Sequence, residues 1–324
     1  MRGASAPAVS ELADALVGIS AGSIKSILLY GSHMLDANPD RHSAFDFVVI
    51  VDEYRPFYAT LNAAGELHRP TLLLSMMARF LPPNVIAFAP EHGRDGIAKC
   101  IIVSRAHLER GLGPNSPDHF LLGRLVQKVG PVYSATPNDA EWVEQLLASA
   151  RDRVLSWLEP YLDAPLDAEG LGRRMLEVCY RGELRPESEQ RAARIFESQA
   201  DHFREHFATV LARGVEQGVL VECTNAEVDS PGVLATYELA RPASMALRRK
   251  WRRYFRKSKV RATARWFKHM VTFANWLPYV VLKVERHSGE RIELSRLERR
   301  LPLIFLWPRV IKVLLTRPPK ELSR

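Results

Sequence analysis

The stretch from Ser26 to Asp52, SILLYGSHMLDANPDRHSAFDFVVIVD, decides the fold. An apolar run rich in Ile and Leu ends in Tyr30-Gly31-Ser32, and a polar loop follows. A second apolar run then begins on the carboxylate Asp46 and closes on Asp52. Apolar runs bounded by turn residues are typical of strands. The stretch therefore predicts two strands that meet at a Gly-Ser turn, with an acidic side chain directed into the same cleft.

Further segments extend this mixed pattern along the chain. Turn residues cluster near 133–138 and near 225–232, where we place domain boundaries. We expect an α/β (α+β) domain with a mixed sheet over 1–135, a mainly helical domain over 136–235, and a separate C-terminal region over 236–324. The predicted strands are 24–29, 45–51, 85–88 and 98–103, and the predicted helices are 11–17, 71–80, 118–128, 139–162, 171–180 and 187–214.

Charge is divided unevenly along the chain. Residues 241–324 carry 23 Lys and Arg against 5 Asp and Glu, whereas the preceding 240 residues carry 22 against 32. From Arg248 to Lys268 there are 11 basic residues and no acidic one, with Trp, Tyr and Phe interleaved. A basic segment of this kind is expected to meet a polyanion, which is either a membrane surface or a nucleic acid.

Two apolar patches, 271–284 and 301–315, distinguish these partners. Each is shorter than the roughly 20 apolar residues that span a bilayer, and each is interrupted by Pro, Arg or Lys. Basic and aromatic segments with such patches lie in the plane of the membrane interface. We therefore expect an anionic membrane surface as the partner, no nucleic acid and no transmembrane helix.

The order of eight short motifs resembles one known family. Between residues 25 and 210 the chain reads YGS, FDFVVIVD, LHRP, NVIAF, AKCIIVS, LLGRLVQK, EVCYRGELR and HFREHF. This order is similar to that of the mitochondrial-type phosphatidate cytidylyltransferases, also called the translocator assembly and maintenance family, within the nucleotidyltransferase superfamily. The C-terminal quarter shows no comparable similarity.

The resemblance implies a reaction, a fold and a location. CTP and phosphatidic acid would give CDP-diacylglycerol and pyrophosphate, with Mg²⁺ as cofactor. The implied architecture is a nucleotidyltransferase fold, then a helical winged-helix-like domain, then a basic amphipathic segment that binds the membrane. The N-terminal sequence has neither signal-peptide nor transit-peptide character, and the composition is rich in Ala, Arg and Leu. We therefore expect a peripheral enzyme on the cytoplasmic face of a bacterial inner membrane.

The resemblance also implies which residues form the substrate and metal sites. The turn would cradle the triphosphate with its backbone N–H groups, and its residues are Tyr30, Gly31, Ser32 and His33, the last replacing a small residue of the family. Asp46 is the expected catalytic carboxylate and Mg²⁺ ligand. Independently of the resemblance, Asp52 lies six residues on and on the same strand face if the strand is regular, which makes it a candidate second metal ligand, although a solvated strand-end residue is favoured.

The remaining candidates follow the later motifs. The expected catalytic cations are Lys99 and Lys128. Arg124 lies four residues before Lys128 and is expected to bind substrate phosphate. Gln127 is the alternative to Lys128 at the family position. Glu183 is expected in the catalytic set, where it would complete the metal site in place of Asp52 or hold a cation in position, and a simple helix-end turn is the alternative. Tyr180 and His68 are the remaining candidates for substrate binding.

Two other classes of function stay open at this point. The first is a nucleotidyltransferase that modifies another small molecule, a protein or an RNA. The second is a non-catalytic protein whose altered nucleotidyltransferase domain is tethered by its basic tail to a membrane or nucleic acid. His202 and His206, four residues apart on a predicted helix, have a spacing that can bind zinc, but a solvated helix face is favoured because no third ligand is evident.

Overall fold

The computed structural model describes residues 6–35, 44–67, 69–90, 96–181, 189–223 and 235–272. Five strands form its central sheet: β1 (Ile24–Tyr30), β2 (Phe45–Val51), β3 (Asn84–Phe88), β4 (Ala98–Ser104) and β5 (Gly130–Ser134). Their order across the sheet is β3-β4-β2-β1-β5. β2 is parallel to β4 and the other pairings are antiparallel. The sheet is therefore mixed, and the predicted α/β class is confirmed.

Helices cover both faces of the sheet and continue beyond it. They are α1 (Ala6–Ile19), α2 (Ser32–Leu35), α3 (Tyr54–Ala63), α4 (Thr71–Phe80), α5 (Arg105–Leu112), α6 (Leu122–Leu125), α7 (Pro137–Asp152), α8 (Val154–Leu158), α9 (Ala168–Arg181), α10 (Glu189–Glu197), α11 (Ala200–Glu216) and α12 (Met245–Thr272). A 3₁₀ turn spans Glu159–Tyr161, and a small antiparallel sheet joins β6 (Leu220–Cys223) to β7 (Thr236–Leu239). Helices followed by a hairpin are the order expected of a winged-helix domain, and this domain assignment stays a prediction.

Two apolar cores lie on opposite faces of the sheet. The first contains α1, α3 and α4 packed against alternate residues of the strands, such as Phe47 and Val49. The second contains Val48, Ile50 and Ile101 together with α5 to α9, α11 and Trp251 of α12. Successive strand residues point to opposite faces, so burial on both sides explains the nearly continuous apolar runs of β2 and β4. The helical region thus shares a core with one face of the sheet.

Some predicted helices are shorter than the sequence pattern indicated. The predicted helix 118–128 is mostly a turn that ends in α6, because the Asp118 carboxylate accepts the Phe120 backbone N–H and thereby favours a turn. The predicted helix 187–214 is divided between α10 and α11. At that break Gln199 leaves helical geometry, and its side-chain oxygen accepts the Lys128 backbone N–H.

The predicted helix 139–162 is likewise broken, and three strands, β5, β6 and β7, were not predicted. α7 ends at Arg153, whose guanidinium donates to the Leu112 carbonyl. Beyond this residue the chain continues as α8 and the 3₁₀ turn. β5 begins with Gly130-Pro131, which reads as a turn in sequence. It is an edge strand of the sheet, where a proline is tolerated because one side needs no ladder hydrogen bond.

A buried ion cluster attaches α12 to the rest of the fold. The Asp118 carboxylate accepts from the guanidinium groups of Arg261 and Arg265, both at 2.7 Å, and side-chain exposure is 6% for Asp118 and 1% for Arg265. Burial alone would raise the pKa of Asp118, but the charge of Arg265 and the hydrogen bond from Arg261 outweigh it and hold that pKa below its usual value. The cluster therefore fixes α12 against the segment before α6.

The inward face of α12 continues beyond this cluster. Ser258 Oγ accepts the His119 backbone N–H at 2.9 Å, and Arg265 donates to the Pro82 carbonyl. Lys268 Nζ donates to the carbonyls of Leu81 and Pro83, between α4 and β3. Three of the 11 basic residues predicted to face a membrane are thus directed into the protein. Among the described helices, none is both long and apolar enough to cross a bilayer.

We predict that Asp118→Asn lowers the free energy of unfolding by about 3 kcal/mol or more at neutral pH, because it leaves two guanidinium groups without their carboxylate. The matched control is Asp201→Asn, whose side chain is 96% exposed and pairs with Arg204 at the surface, where a loss under about 1 kcal/mol is expected. Denaturant unfolding measures both.

The contribution of Asp118 to the free energy of unfolding depends on pH in a definite direction. Because the pKa of Asp118 is lowered in the folded state, its contribution is complete above the unfolded value, near 3.8, and is lost as pH falls through the folded value. The difference between wild type and Asp118→Asn should therefore persist down to about pH 4 and shrink only in more acid solution. Equal stability at neutral pH would show that the cluster contributes nothing.

Candidate active site

The sheet register brings three predicted site residues into one row. Tyr30 at the end of β1 is paired with Asp46 at the start of β2, and Asp46 is paired with Lys99 at the start of β4. All three lie on the sheet face that carries the second core, because Tyr30, Val48 and Ile101 belong to it. Tyr30 is buried there, while Asp46 and Lys99 are progressively more open to solvent.

Gly31 brings the backbone of the turn against the Asp46 carboxylate. Its φ of +77° lies in the left-handed region, where a side chain is unfavourable. A Cβ atom placed on Gly31 would stand 2.7 Å from Asp46 Oδ2, closer than real Cβ contacts permit. Both the conformation and the close approach therefore require glycine at this position, as the predicted triphosphate-binding turn does.

Asp46 forms an ion pair with Lys99. Lys99 Nζ lies 3.2 Å from Asp46 Oδ1, and the side chains are 47% and 23% exposed. Both groups can thus be reached from solvent, and neither is sealed into the core. A carboxylate and an ammonium that are both open to solvent can exchange this contact for a cation and an anion of a bound ligand.

The other two residues of the turn lie directly beside this pair. Ser32 is exposed and is the first residue of α2, and the backbone N–H groups of Met34 and Leu35 donate to the Gly31 carbonyl. The His33 ring packs on Phe45, with ring centroids 4.1 Å apart. The turn predicted from Tyr30 to His33 is therefore one compact unit at the end of the sheet.

Asp52 is not brought to Asp46. Six residues separate them along β2 and its end, which corresponds to about 20 Å at the rise of a strand. Asp52 instead pairs with Lys25, at 2.9 Å, and this hydrogen bond and charge raise the pKa of Lys25. The two acids share the strand parity that the sequence indicated, but they stand at opposite ends of the sheet, so they cannot ligate one ion.

The described residues supply few ligands for a metal. Among them, no group of three or more His, Cys, Asp and Glu side chains could hold an ion. Asp46 is the one predicted ligand found at the turn. Mg²⁺ often takes only one or two carboxylates from the protein and the rest of its ligands from water and substrate phosphates. The donor set therefore fits Mg²⁺ that arrives with a nucleotide, with Asp46 as the holding residue.

Arg124 and Lys128 lie on the segment that crosses the second core. The Arg124 guanidinium covers the Phe120 ring at 3.9 Å and donates to the Phe120 carbonyl. Gln127 donates to the Gly123 carbonyl and accepts from Gln199, so its amide is used in holding the loop. Lys128 contributes its backbone N–H to that network, and the choice between Lys128 and Gln127 at the family position stays a prediction.

Three predicted residues remain untested by contacts at the turn. Tyr180 is half-buried at the end of α9 and packs against the second core. His68 and Glu183 lie outside the described residues, as do the apolar patch 301–315 and most of 271–284. The roles of Tyr180, His68 and Glu183 stay predictions.

No sequence pattern singled out His269, which lies near the end of α12. Burial lowers the pKa of His269 to about 3, and the charges of Lys268, Arg265 and Lys99 contribute, so the imidazole is neutral. Its ring is hydrogen-bonded to the backbone of Pro83, just before β3.

His202 and His206 form a pair of neighbouring rings on α11. Their centroids are 4.4 Å apart, and burial lowers the pKa of His202 to about 3, with His206, Arg151 and Lys128 contributing. Since no third ligand is found for them among the described residues, the zinc interpretation gains no support.

Comparisons with known proteins add little to this geometry. No family model and no curated protein matches the chain. A solved structure that is similar belongs to a nucleotidyltransferase-like protein from Exiguobacterium sibiricum 255-15, at 8% identity and a TM-score of 0.25. The alignment covers 71% of this chain and 99% of that one. A similarity this distant supports no inference about activity, which must be argued from the site.

We predict that Asp46→Asn lowers the rate of nucleotidyl transfer by at least about 100-fold, because removal of one electrostatic stabiliser typically costs ~10²–10³ in rate. The fold should persist, since Asn is nearly isosteric. The matched control is Asp52→Asn, which removes a carboxylate from the far end of the same strand and should retain near-normal activity. Steady-state rates, with thermal unfolding as a check, measure both variants. Equal losses in the two would contradict the placement of the site.

Proposed function

We propose that this protein is a phosphatidate cytidylyltransferase, which converts CTP and phosphatidic acid into CDP-diacylglycerol and pyrophosphate. The sheet and its helices form a mixed α/β protein that is consistent with a nucleotidyltransferase-like fold. The proposed phosphatidate cytidylyltransferase activity rests on the candidate site and on the motif order between residues 25 and 210.

One observation carries the proposal. A glycine turn in the left-handed conformation packs directly on the Asp46 carboxylate, and Lys99 stands 3.2 Å from that same carboxylate. Backbone N–H groups, one acid and one cation at the end of a sheet are suited to hold a nucleoside triphosphate. An ordinary structural turn has no need of an exposed ion pair at the point where its backbone approaches most closely.

The proposed reaction requires little acid–base chemistry from the protein. The acceptor is a phosphate monoester, whose second pKa of about 6 leaves it largely dianionic at neutral pH. An oxygen of this phosphate attacks the α-phosphorus of CTP. A new P–O bond forms, the bond to the bridging oxygen breaks, and pyrophosphate leaves with the electron pair. The barrier lies in bringing two anions together, which explains a site with cations and few carboxylates.

The chain's own residues would divide this work. Lys99 neutralises phosphate charge, Lys128 and Arg124 provide further cations from the segment beside the sheet, and Asp46 holds Mg²⁺. When bound, Mg²⁺ would supply charge neutralisation and polarisation of the phosphates. The turn from Gly31 orients the triphosphate through its backbone.

Membrane association is part of the proposal, because the lipid acceptor lies in a bilayer. Eight basic residues of α12 are exposed, and they concentrate in its first half: Arg248, Arg249, Lys250, Arg252, Arg253, Arg256, Lys257 and Lys259. Cations near an anionic bilayer contribute roughly 1 kcal/mol each to binding. This surface supports a peripheral location on an anionic membrane.

We predict that the purified protein makes labelled CDP-diacylglycerol from labelled CTP and vesicles containing phosphatidic acid, and that EDTA abolishes the product. Replacing CTP by ATP, GTP or UTP tests whether the reaction is specific for the cytosine base. Label found on a different acceptor would support a nucleotidyltransferase of another kind. A folded protein that binds no CTP and forms no labelled product would instead favour a non-catalytic role.

We also predict that Arg253→Gln combined with Arg256→Gln weakens binding to anionic vesicles by about 30-fold at low salt, from two lost cations. The matched control, Arg110→Gln with Arg194→Gln, makes the same change of charge at exposed positions outside α12 and should bind nearly as wild type does. Vesicle co-sedimentation measures both, with CTP binding as a check on the site. Equal effects of the two pairs would show that only net charge matters and that α12 has no special role.

A further inference from the structure

Exposed apolar side chains are concentrated on one part of the molecule. In the described part of the chain, ten large apolar side chains are markedly exposed, and seven of them lie on α4 and on the second half of α12. These seven are Leu72, Leu73, Met76, Phe80, Val260, Trp266 and Phe267. Isolated exposed apolar residues are ordinary, but a concentration of this kind marks an interaction surface.

α4 presents a regular apolar stripe to solvent. Its buried side, Leu74 and Ala78, packs into the first core. On the opposite side Leu72, Met76 and Phe80 follow each other at intervals of four residues, and Phe80 is 79% exposed. Residues four apart lie on one helix face. α4 is therefore apolar on both sides, although only one side is covered by the sheet.

α12 adds to this surface because its end is attached to α4. Lys268 Nζ donates to the carbonyl of Leu81, the residue that caps the C-terminus of α4, and it lies 3.5 Å from the carbonyl of Met77. Val260 and Phe267 are seven residues apart, so they share the outer face of α12, and they are 68% and 56% exposed. Apolar residues thus occupy the half of α12 next to α4, and the exposed cations occupy the other half.

We propose that the exposed face formed by α4 and α12, called here the α4–α12 face, docks the protein onto an anionic lipid bilayer. The apolar side chains of α4 and of the second half of α12 enter the interface, while the cations of the first half meet the headgroups. Apolar insertion beside a cluster of Lys and Arg is the pattern of proteins that lie on membranes. This inference rests on the proposed membrane location, but it does not depend on the reaction.

Charge complementarity selects the bilayer over a second copy of the chain. The eight exposed cations of α12 flank the apolar surface, and pairing the same face of two copies would bring these like charges together. An anionic membrane satisfies the apolar residues and the cations at once. The basic C-terminal region gave no indication that α4 contacts a membrane. The α4 stripe lies in the N-terminal third of the sequence, far from that region along the chain.

The test uses the full chain and the triple variant Leu72→Gln, Met76→Gln and Phe80→Gln. Glutamine is a good helix former, so α4 should persist. The matched control is Val215→Gln with Val221→Thr, which changes exposed apolar side chains outside the α4–α12 face. Vesicles of phosphatidylcholine and phosphatidylserine are used, so that binding does not require recognition of phosphatidic acid at the catalytic site.

We expect the triple variant to bind these vesicles about tenfold or more weakly at high salt, because its apolar component is lost. Its remaining binding should be reversed by salt, whereas wild type and the control retain binding at high salt. Its melting temperature and its sedimentation in solution should equal those of wild type. CTP binding should also be unchanged, so a protein that docks but makes no liponucleotide would count against the reaction alone.

Three results would overturn the inference. If the variant and wild type bind equally at high salt, α4 does not touch the bilayer. If the variant melts at a clearly lower temperature, the stripe is covered by another part of the same chain. If wild type sediments as a dimer and the variant as a monomer, a second copy is the occupant.

Discussion

The candidate site depends on one register in the sheet, which places Asp46 between Tyr30 and Lys99. The antiparallel pairing of β2 with β1 needs only a connection at one end, but its parallel pairing with β4 needs the crossover through α3, α4 and β3. A slip of one residue in β2 would turn the Asp46 carboxylate to the other face. Burial of β2 on both faces resists such a slip, because every residue from Phe47 to Val51 is fully enclosed. The reactive groups are therefore positioned by the core rather than by mobile loops.

α12 uses its basic residues in two physically different ways. Burying Arg265 in an apolar environment is costly, and the cost is offset because Asp118 and the Pro82 carbonyl accept its hydrogen bonds. Burial lowers the pKa of Lys268 to about 6, with Arg265 and Arg261 contributing, and backbone carbonyls surround its amine. These inward groups fix the orientation of the helix. The outward cations are consequently presented in one direction, which a flexible basic tail could not achieve.

Local sequence patterns predicted four of the five strands of the central sheet, missed β5, β6 and β7, and predicted the helix ends poorly. Strands β1, β2 and β4 and helix α4 agree with the predictions within a residue or two, since their apolar runs and bounding turns are local signals. The break at Gln199 and the inward face of α12 depend on partners more than 70 residues away. Periodicity cannot report such partners, because the basic pattern of α12 reads alike whether Arg265 meets solvent or Asp118.

The residues of the candidate site likewise differ in how far the local sequence could predict them. The motif order was enough to select Tyr30, Gly31, Asp46 and Lys99, but strand parity alone could not exclude Asp52, because parity ignores distance along the strand. The lowered pKa of His269 likewise comes from the tertiary fold, because burial is its main cause. One end of α12 is attached to the end of α4 through Lys268 and carries exposed apolar side chains, so the helix joins the proposed membrane surface to the fold that positions the site. Docking through that surface would hold the site at a fixed distance from the bilayer, as a lipid phosphate acceptor requires.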